Sequence, residues 1–318
     1  MSTAAMVCSR PMSRAAVMPS HNMRSHPWSV PRQHTARAAG RHRCSGDNGP
    51  PTAAGPPALD IIHSRQNPVF RQALKLSESR RERLKSGLVL LSGTHLALSA
   101  LHAGWSLQRV LLREGHVGQP EVEQVVGQAG APAVVLSGAL FDEIEQMASP
   151  TGLLALATLP EPPALRRDGA CVLLDGIQDP GNVGTILRTA AAAGIDQAWL
   201  GLGCADAWSP KVLRAAMGAH FAIPVIERVD CAAAMDAFAG PRAITTLDQA
   251  RSLYGLDLRG DLLLALGAEG RGVSDAVAGR ATLRVHIPMQ AGIESLNVAA
   301  AAAICLFERR RQLLADPA

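Results

Sequence analysis

The residues best suited to chemistry lie in three glycine-containing segments of the second half of the chain. They read DPGNVGTILRTAAAAG (Asp179 to Gly194), LGAEGRGVS (Leu266 to Ser274) and IPMQAGIESLNVAAAAAI (Ile287 to Ile304). Each follows or opens a short apolar run that predicts a β-strand. Loops at the carboxyl ends of parallel strands form the ligand-binding edge of an α/β sheet. We therefore expect the three segments to build one composite site.

The first segment combines a predicted helix start with an arginine. Gly181 to Gly184 opens the helix, whose N-terminal N–H groups form an anion site. Arg188 follows two turns on, in otherwise apolar surroundings, and its planar fork suits phosphate or carboxylate. Two interpretations stay open: a functional contact with a ligand, or a structural ion pair with Asp175 or Asp179. A dinucleotide-binding fingerprint is excluded, because the glycines do not follow the order G-x-G-x-x-G. A P-loop is excluded as well, because the segment lacks that motif's lysine.

The other two segments add polar groups to flexible loops. Glu269 lies among three glycines, which allow close backbone approach to a ligand. Ser295 and Asn297 precede an apolar helix, where capping is the simpler interpretation of either residue alone. The loop from Ile287 to Gly292 is apolar and then flexible, which suits a flat heterocycle.

Alternating strands and helices predict two α/β domains. The Pro-rich sequence at 159–163 marks the boundary, so that we expect domains at 59–158 and 168–318 with a linker at 159–167. In the first domain, strands are predicted at 88–91, 107–112, 133–136 and 153–158, with helices at 94–103, 121–128 and 141–147. In the second, a mostly parallel sheet is predicted with strands at 171–174, 197–200, 221–225, 243–246, 262–265 and 283–287, and helices at 183–193, 210–217, 232–239, 275–278 and 296–314.

Composition and charge exclude several function classes. Aromatic residues make up 3% of the chain, too few for a sheet that stacks RNA bases. The six cysteines form no C-x-x-C pair, and no metal-ligand cluster is present, so that we expect no metal and a reducing compartment. No apolar run is long enough to span a bilayer.

The net charge of +4 is unevenly distributed. Residues 1–58 hold seven Arg and one acid, whereas the remainder holds 24 basic and 26 acidic residues and has a net charge of −2. The first 58 residues have no apolar period and are rich in Ser, Arg, Pro and Ala. Three interpretations stay open for them: a disordered basic extension, an over-long translation start, or an organellar transit peptide.

A local cluster of cations lies in the first domain, between Asn67 and Lys85. It has amphipathic spacing, which predicts either a solvated helix face or a surface that binds RNA phosphates. The candidate RNA-binding residues, including one just before this stretch, are Arg65, Arg71, Lys75, Arg80, Arg81, Arg83 and Lys85.

The three segments together resemble the motifs of the SpoU (TrmH-like) RNA ribose methyltransferases. These are D-P-G-N-V-G-x-x-x-R-T-A, G-A-E-G-R-G-V-S and I-P-M-x-x-G-x-x-S-L-N-V-A, in this order. The sequence from Ser209 to Ala219 resembles the family's stretch between the first two motifs. Residues 59–158 resemble its ribosomal-protein-like substrate-binding domain, although Ser92 stands where Glu is usual.

The resemblance implies an α/β methyltransferase domain whose C-terminal segment forms a trefoil knot, preceded by a small α/β domain. It also implies S-adenosylmethionine as methyl donor, no metal, and a homodimer with the site near the interface. By position, the adenosine pocket would be lined by Leu266, Gly267, Ile287, Met289 and Leu296. The polar catalytic set would be Asn182, Arg188, Glu269, Ser295 and Asn297.

The expected reaction is methyl transfer to a ribose 2′-hydroxyl of RNA, with ribosomal RNA favoured over tRNA. The enzyme must align the hydroxyl with the methyl group and assist loss of its proton. Arg188 is expected to orient a phosphate and stabilise developing charge, because an arginine with a pKa above about 12 is a poor base. We expect a cytoplasmic protein, with mitochondria as the alternative location. The alternative function is an inactive RNA-binding or ribosome-assembly protein that has kept the fold.

Overall fold

A computed structural model describes residues 60–293 and 295–315. The predicted extension at 1–58 lies outside these residues. The strands are β1 (Ile61–Ile62), β2 (Leu88–Ser92), β3 (Leu107–Arg113), β4 (Ala133–Leu136), β5 (Leu153–Thr158), β6 (Ala170–Asp175), β7 (Gln197–Gly201), β8 (Val225–Val229), β9 (Arg242–Thr245), β10 (Arg251–Ser252), β11 (Leu262–Gly267) and β12 (Leu283–His286). The α-helices are α1 (Pro68–Glu78), α2 (Arg80–Ser86), α3 (Thr94–His102), α4 (Pro120–Ala129), α5 (Gly138–Glu145), α6 (Pro180–Ala193), α7 (Pro210–Ala216), α8 (Cys231–Ala237), α9 (Asp275–Ala278) and α10 (Val298–Ala315).

The first five strands form a mixed sheet in the order β1-β4-β3-β5-β2. The β1–β4–β3 pairs are parallel, whereas β5 runs antiparallel to both β3 and β2. Alternating side chains of each strand point to opposite faces. Leu90 and Leu111 therefore pack under α1 and α5, while Val89 and Val110 face α3 and α4. The first sheet is thus the middle layer of a three-layer α/β sandwich.

The remaining seven strands form a second sheet, in the order β10-β12-β9-β11-β6-β7-β8. All six of its pairings are parallel. Both faces are covered, as parallel sheets require: α6, α7 and α10 pack on one face, and α8 and α9 on the other. The α/β fold predicted from the sequence is confirmed.

One predicted strand is wrong. The apolar run at 221–225 contains Pro224, which has no N–H for a sheet ladder. The structure instead places a short 3-10 helix at Ala219–Phe221 and begins β8 at Val225. The periodicity also missed β1 and β10, which have two residues each.

The two sheets share one continuous buried core. Residues of α3 and α4 belong to the same apolar cluster as residues of α6, α7 and α10. Trp105 of the first sandwich packs edge-on against Phe221, with ring centroids 4.8 Å apart, and lies 6.1 Å from Trp208. Residues 60–315 therefore pack as one unit, and within the described ranges no helix is long and apolar enough to cross a membrane.

Candidate active site

The three glycine-containing segments meet at the carboxyl edge of the second sheet. The first follows β6, the second follows β11, and the third follows β12. Strands β6 and β11 are neighbours, in a register that pairs Asp175 with Gly267, so both strands end at the same level. Because the sheet is wholly parallel, the loops after β6, β11 and β12 lie along one edge, with β9 between β11 and β12.

Three of the predicted polar residues form a hydrogen-bonded cluster, which we call the polar triad: Asn182, Glu269 and Asn297. The Nδ2 atoms of both asparagines donate to Oε1 of Glu269, that of Asn297 at 3.3 Å. Asn297 Nδ2 also lies 3.0 Å from Oδ1 of Asn182. One carboxylate thus fixes the orientation of two amides that come from segments 115 residues apart. This cross-linking joins the three segments through side chains alone.

Helix capping accounts for part of this arrangement. Asn297 is the residue before α10, and its Oδ1 accepts from the N–H groups of Ala299 and Ala300 at 2.9 and 3.3 Å. Asn297 therefore combines a cap with a place in the triad, whereas Ser295 lies two residues before the cap. At the start of α6, Oδ1 of Asp179 accepts from the backbone N–H of Asn182 at 2.7 Å. The helix's own carboxylate thus occupies the position where an anion site was predicted.

A cavity of about 710 Å³ opens beside the triad. Its size lies within the range of about 300–1,000 Å³ that is usual for small-molecule sites. Glu269 lines it, so the triad contributes one side chain to its wall, whereas Asn182 and Asn297 lie behind Glu269 and do not line the cavity. Four of the five predicted cofactor residues line it as well, and Leu266 does not, because its side chain is fully buried within β11. The predicted residues at the wall are Gly267, Glu269, Ile287, Met289, Ser295 and Leu296.

Gly267 is required where the loop after β11 folds back on itself. A Cβ at this position would lie 1.9 Å from the backbone carbon of Gly272 and 2.0 Å from the nitrogen of Val273. These distances are far below van der Waals contact. Any side chain at residue 267 would therefore push apart the loop that forms one wall of the cavity.

Several residues of the cavity were not predicted from the sequence. Thr245 and Thr246 lie at the end of β9, and His286 ends β12, where its Nδ1 lies 3.1 Å from the carbonyl oxygen of Ala250. Arg271 lines the cavity from the second segment. The available signal was position: Thr245 and Thr246 end and follow β9, which neighbours β11, and His286 ends β12, the next strand beyond β9.

Arg188 does not line the cavity and is exposed on α6. At about 100° per residue, the six positions from Asn182 rotate by about 240° around the helix, so the two side chains do not share a face. The structural ion pair considered for Arg188 is absent from the described residues, in which its side chain has neither a hydrogen bond nor an ion pair. Asp175 accepts from the N–H of Ser274 instead, at 2.7 Å.

The thiols among the described residues, two buried and two half-buried, do not add a nucleophile to this edge of the sheet. Burial raises the pKa of Cys171, Cys231 and Cys305 to about 12, and it also raises the pKa of Cys204. A thiol with so high a pKa is protonated at neutral pH and is inert. The described residues also contain no group of three or more acidic, His or Cys side chains arranged to hold a metal ion.

The predicted RNA-binding cations divide into two groups. Arg83 is buried and donates to Asp206, so its prediction as an RNA-binding residue is wrong. Arg80 is ion-paired with Glu227 at 3.0 Å, and Arg65 with Glu143 at 2.9 Å. The four others have exposed side chains without ion pairs within residues 60–293 and 295–315: Arg71, Lys75, Arg81 and Lys85.

Two of these free cations line a second cavity, of about 440 Å³, between α1 and α2. Arg71 and Lys75 are one helical turn apart and therefore lie on one face of α1. The amides of Gln66 and Gln72 line the same cleft. We call this surface the α1 face; it offers two positive charges together with hydrogen-bond donors and acceptors, and Glu82 of α2 adds one negative charge to its lining.

Comparisons with known proteins decide the family. The model of the SpoU rRNA methylase family matches residues 169–307, and that of the MRM3-like substrate-binding domain matches residues 67–155. An uncharacterized tRNA/rRNA methyltransferase of Synechocystis is 34% identical over 79% of this chain and 93% of its own length. The chain belongs to the SpoU rRNA methylase family. The 23S rRNA (guanosine(2553)-2′-O)-methyltransferase RlmP of Bacillus subtilis, another relative, is 32% identical over 78% of this chain and 98% of its own length.

Solved structures agree with this SpoU assignment. An rRNA methyltransferase from Sinorhizobium meliloti, determined with S-adenosylmethionine bound, superposes with a TM-score of 0.70 at 27% sequence identity. The match covers 80% of this chain and 98% of that one. It therefore extends over both sheets and not only over the methylase region.

Proposed function

We propose that this SpoU protein transfers a methyl group from S-adenosylmethionine to a ribose 2′-hydroxyl of ribosomal RNA. The observation that carries the proposal is the polar triad, held by hydrogen bonds from three loops at the wall of a cavity of about 710 Å³. A polar cluster beside a cavity with both apolar and polar walls, at the carboxyl edge of a parallel sheet, is the arrangement expected of an α/β active site.

The residues of the cavity fit S-adenosylmethionine. Ile287, Met289 and Leu296 offer apolar surface to a flat purine, and Gly267 brings a strand end and loop backbone to the cavity wall. We propose that these four residues hold the adenosine part, with Leu266 supporting them from the buried strand. When bound, S-adenosylmethionine supplies an electrophilic methyl group on its sulfonium sulfur.

The polar residues of the chain then have to bind the substrate, orient its ribose hydroxyl and stabilise the charge that develops on the ribose oxygen. Glu269 holds the amides of Asn182 and Asn297 in place, so that the loops around the cavity keep one geometry. Preorganised polar groups contribute most when their orientation is fixed before the reaction. We propose that Ser295, at the cavity wall, hydrogen-bonds substrate or cofactor, and that Arg188 binds a substrate phosphate and stabilises charge that develops on the ribose oxygen.

Arg188 supports the further proposal of a homodimer. Among the described residues its side chain has no hydrogen bond or ion pair, and it does not line the cavity, so we propose that it acts in the partner's site. Helix α10 packs on α6 and leaves Phe307 48% exposed, with Ile304 and Ala300 three and seven residues earlier on the same face. An apolar helix face of this kind suits association with a second copy. Complementation tests the arrangement: mixing Arg188→Ala with Asn297→Ala subunits should restore activity that neither has alone.

Ribosomal RNA is favoured as substrate, and the α1 face as its docking surface. Arg71 and Lys75 of this face, together with the exposed Arg81 and Lys85 of the neighbouring α2, supply positive charges for phosphates, and we propose that the cleft of about 440 Å³ takes an unpaired nucleotide. The same proposal includes the domain division at 159–167, the trefoil knot, and a location in the cytoplasm or in mitochondria. The position of β11 between β6 and β9, both earlier in the chain, supports the knot, because it requires the chain to return into the sheet.

The test is methyl transfer from labelled S-adenosylmethionine to ribosomal RNA, with tRNA as the competing substrate. We expect incorporation into ribosomal RNA from a strain that lacks the gene, and little into RNA from the parent strain. Binding of S-adenosylmethionine without transfer to either RNA would favour the alternative, an assembly protein that has kept the fold.

A further inference from the structure

Two arginines of α2 connect the first sandwich to the second. Arg80 Nη2 lies 3.0 Å from Oε2 of Glu227, which lies in β8. Arg83 is 3% exposed, donates to Asp206 after β7, and donates as well to the carbonyl oxygen of Leu76 at the end of α1. Both pairs therefore join the helix layer of the RNA-binding domain to the methyltransferase domain.

The acceptors of these pairs also fix the segment after β7, which we call the junction loop (residues 202–209). Glu227 Oε1 accepts from the N–H of Ala207 at 2.9 Å, and Asp206 Oδ1 accepts from the N–H of Trp208 at 3.0 Å. The buried ring of His220 adds a bond to the carbonyl oxygen of Ala207, at 2.8 Å. Each carboxylate thus holds the loop with one oxygen and an arginine of α2 with the other.

The junction loop leads directly to the catalytic helix. It ends at Ser209, which caps α7, and α7 packs closely against α6. At Gly184 a Cβ would lie 2.4 Å from Cβ of Ala215, so the two helices touch through backbone and small side chains. A continuous series of contacts therefore runs from α2 to the helix that carries Asn182 and Arg188.

We propose that Arg80 and Arg83 are positioning residues that hold the α1 face at a fixed place relative to the active site. The enzyme then selects RNA by the spacing between the docked segment and the target ribose. This inference rests on the proposed RNA methyltransferase function. It differs from direct RNA binding by the two arginines, because it assigns equal importance to their acidic partners.

The acidic partners make the two roles distinguishable. If Arg80 bound phosphate, Arg80→Gln would weaken RNA binding and its salt dependence, while Glu227→Gln would strengthen binding by removing a negative charge. If the pair positions the domains, both substitutions act in the same direction. Glu227→Gln keeps an oxygen for the N–H of Ala207, so it removes the ion pair and preserves the loop contact. Asp206→Asn does the same for Arg83 and Trp208.

The experiment measures RNA affinity at several salt concentrations and single-turnover methyl transfer at saturating ribosomal RNA, taken from a strain lacking the gene. For Arg80→Gln and Glu227→Gln we expect unchanged affinity and salt slope, with transfer lowered about two- to fivefold in each. The double variant should be no slower than either single one, because the pair is lost only once. Arg280→Gln is the matched control, since it breaks the 2.7 Å pair with Asp236 inside one domain.

Two results overturn the proposal. Opposite effects of Arg80→Gln and Glu227→Gln on RNA affinity would return Arg80 to direct RNA binding. A lower melting temperature with unchanged transfer per folded molecule would reduce the pair to a structural role. Tryptic cleavage at Arg166 and Arg167, in the linker, provides a readout independent of activity: it should become faster in both variants. If the wild-type protein transfers no methyl group, and trypsin nonetheless cleaves both variants faster than the wild type, the proposed function is refuted. The contact between the two domains is then retained.

Discussion

Replacing Arg188 by Ala separates catalysis from stability more cleanly than any other change to the proposed site. The side chain is exposed and has no ion pair or hydrogen bond in the described part of the chain, so its removal breaks no folded-state contact. Such surface changes alter the free energy of unfolding by no more than about 0.5 kcal/mol. For a chain of this size the melting temperature should then shift by only about 1–2 °C.

The expected effect on turnover is much larger. Removing one group that stabilises transition-state charge lowers kcat by about 10²–10³-fold. S-Adenosylmethionine affinity should stay within about twofold, because Arg188 does not line the cavity. Arg188→Lys should restore little of the lost turnover, since the lysine ammonium lacks the planar guanidinium with its paired N–H donors. The assay measures melting, cofactor binding by calorimetry and single-turnover transfer on one preparation, with Arg167→Ala as an exposed control.

Normal transfer by Arg188→Ala would refute the catalytic role. A fall in melting temperature of more than about 5 °C, with unchanged transfer per folded molecule, would show that Arg188 stabilises the fold and does not act in catalysis.

Four further predictions test other parts of the account. Gly267→Ala should abolish S-adenosylmethionine binding measured by calorimetry, because the added Cβ collides with backbone; retained affinity would contradict the assigned pocket. Replacing Arg71 and Lys75 by Ala should weaken RNA binding and lower the slope of log affinity against log salt by about 1.4, as two lost phosphate contacts require. Burial lowers the pKa of His220 to about 4, below its unfolded value of about 6.5, so stability is full above pH 6.5 and falls by about 3 kcal/mol toward pH 4; urea unfolding should show that His220→Gln removes this part of the acid sensitivity. Phe307→Glu should give a monomer in sedimentation velocity, and an unchanged dimer would move the proposed interface away from α10.

The sequence predicted the limits of elements that turn residues bound on both sides, including elements of only four residues. The strands at Ala133–Leu136 and Leu153–Thr158 and the helix at Asp275–Ala278 have the predicted limits. Prediction failed where an apolar run contained Pro224, since hydrophobicity alone does not report a missing N–H. It also failed for two-residue strands, which are too short to show a period.

The candidate site was predicted to a similar extent and for similar reasons. Residues with a distinctive type at a strand end, such as Glu269 and Asn297, could be found because their segments had to meet at one edge. The cation stretch in α1 and α2 could not be divided in advance. Whether Arg83 faces solvent or Asp206 depends on how two domains pack across a sequence separation of 123 residues. No local pattern carries that information.

The central claim is ribose methylation, and the position of the transferred methyl group tests it most directly. Ribosomal RNA that lacks the modification is incubated with the protein and labelled S-adenosylmethionine, digested to nucleosides and analysed by mass spectrometry. We expect the label in a single 2′-O-methylated nucleoside, with a linkage at that position that resists alkali. Label on a base, or no transfer by protein that binds S-adenosylmethionine, would contradict it.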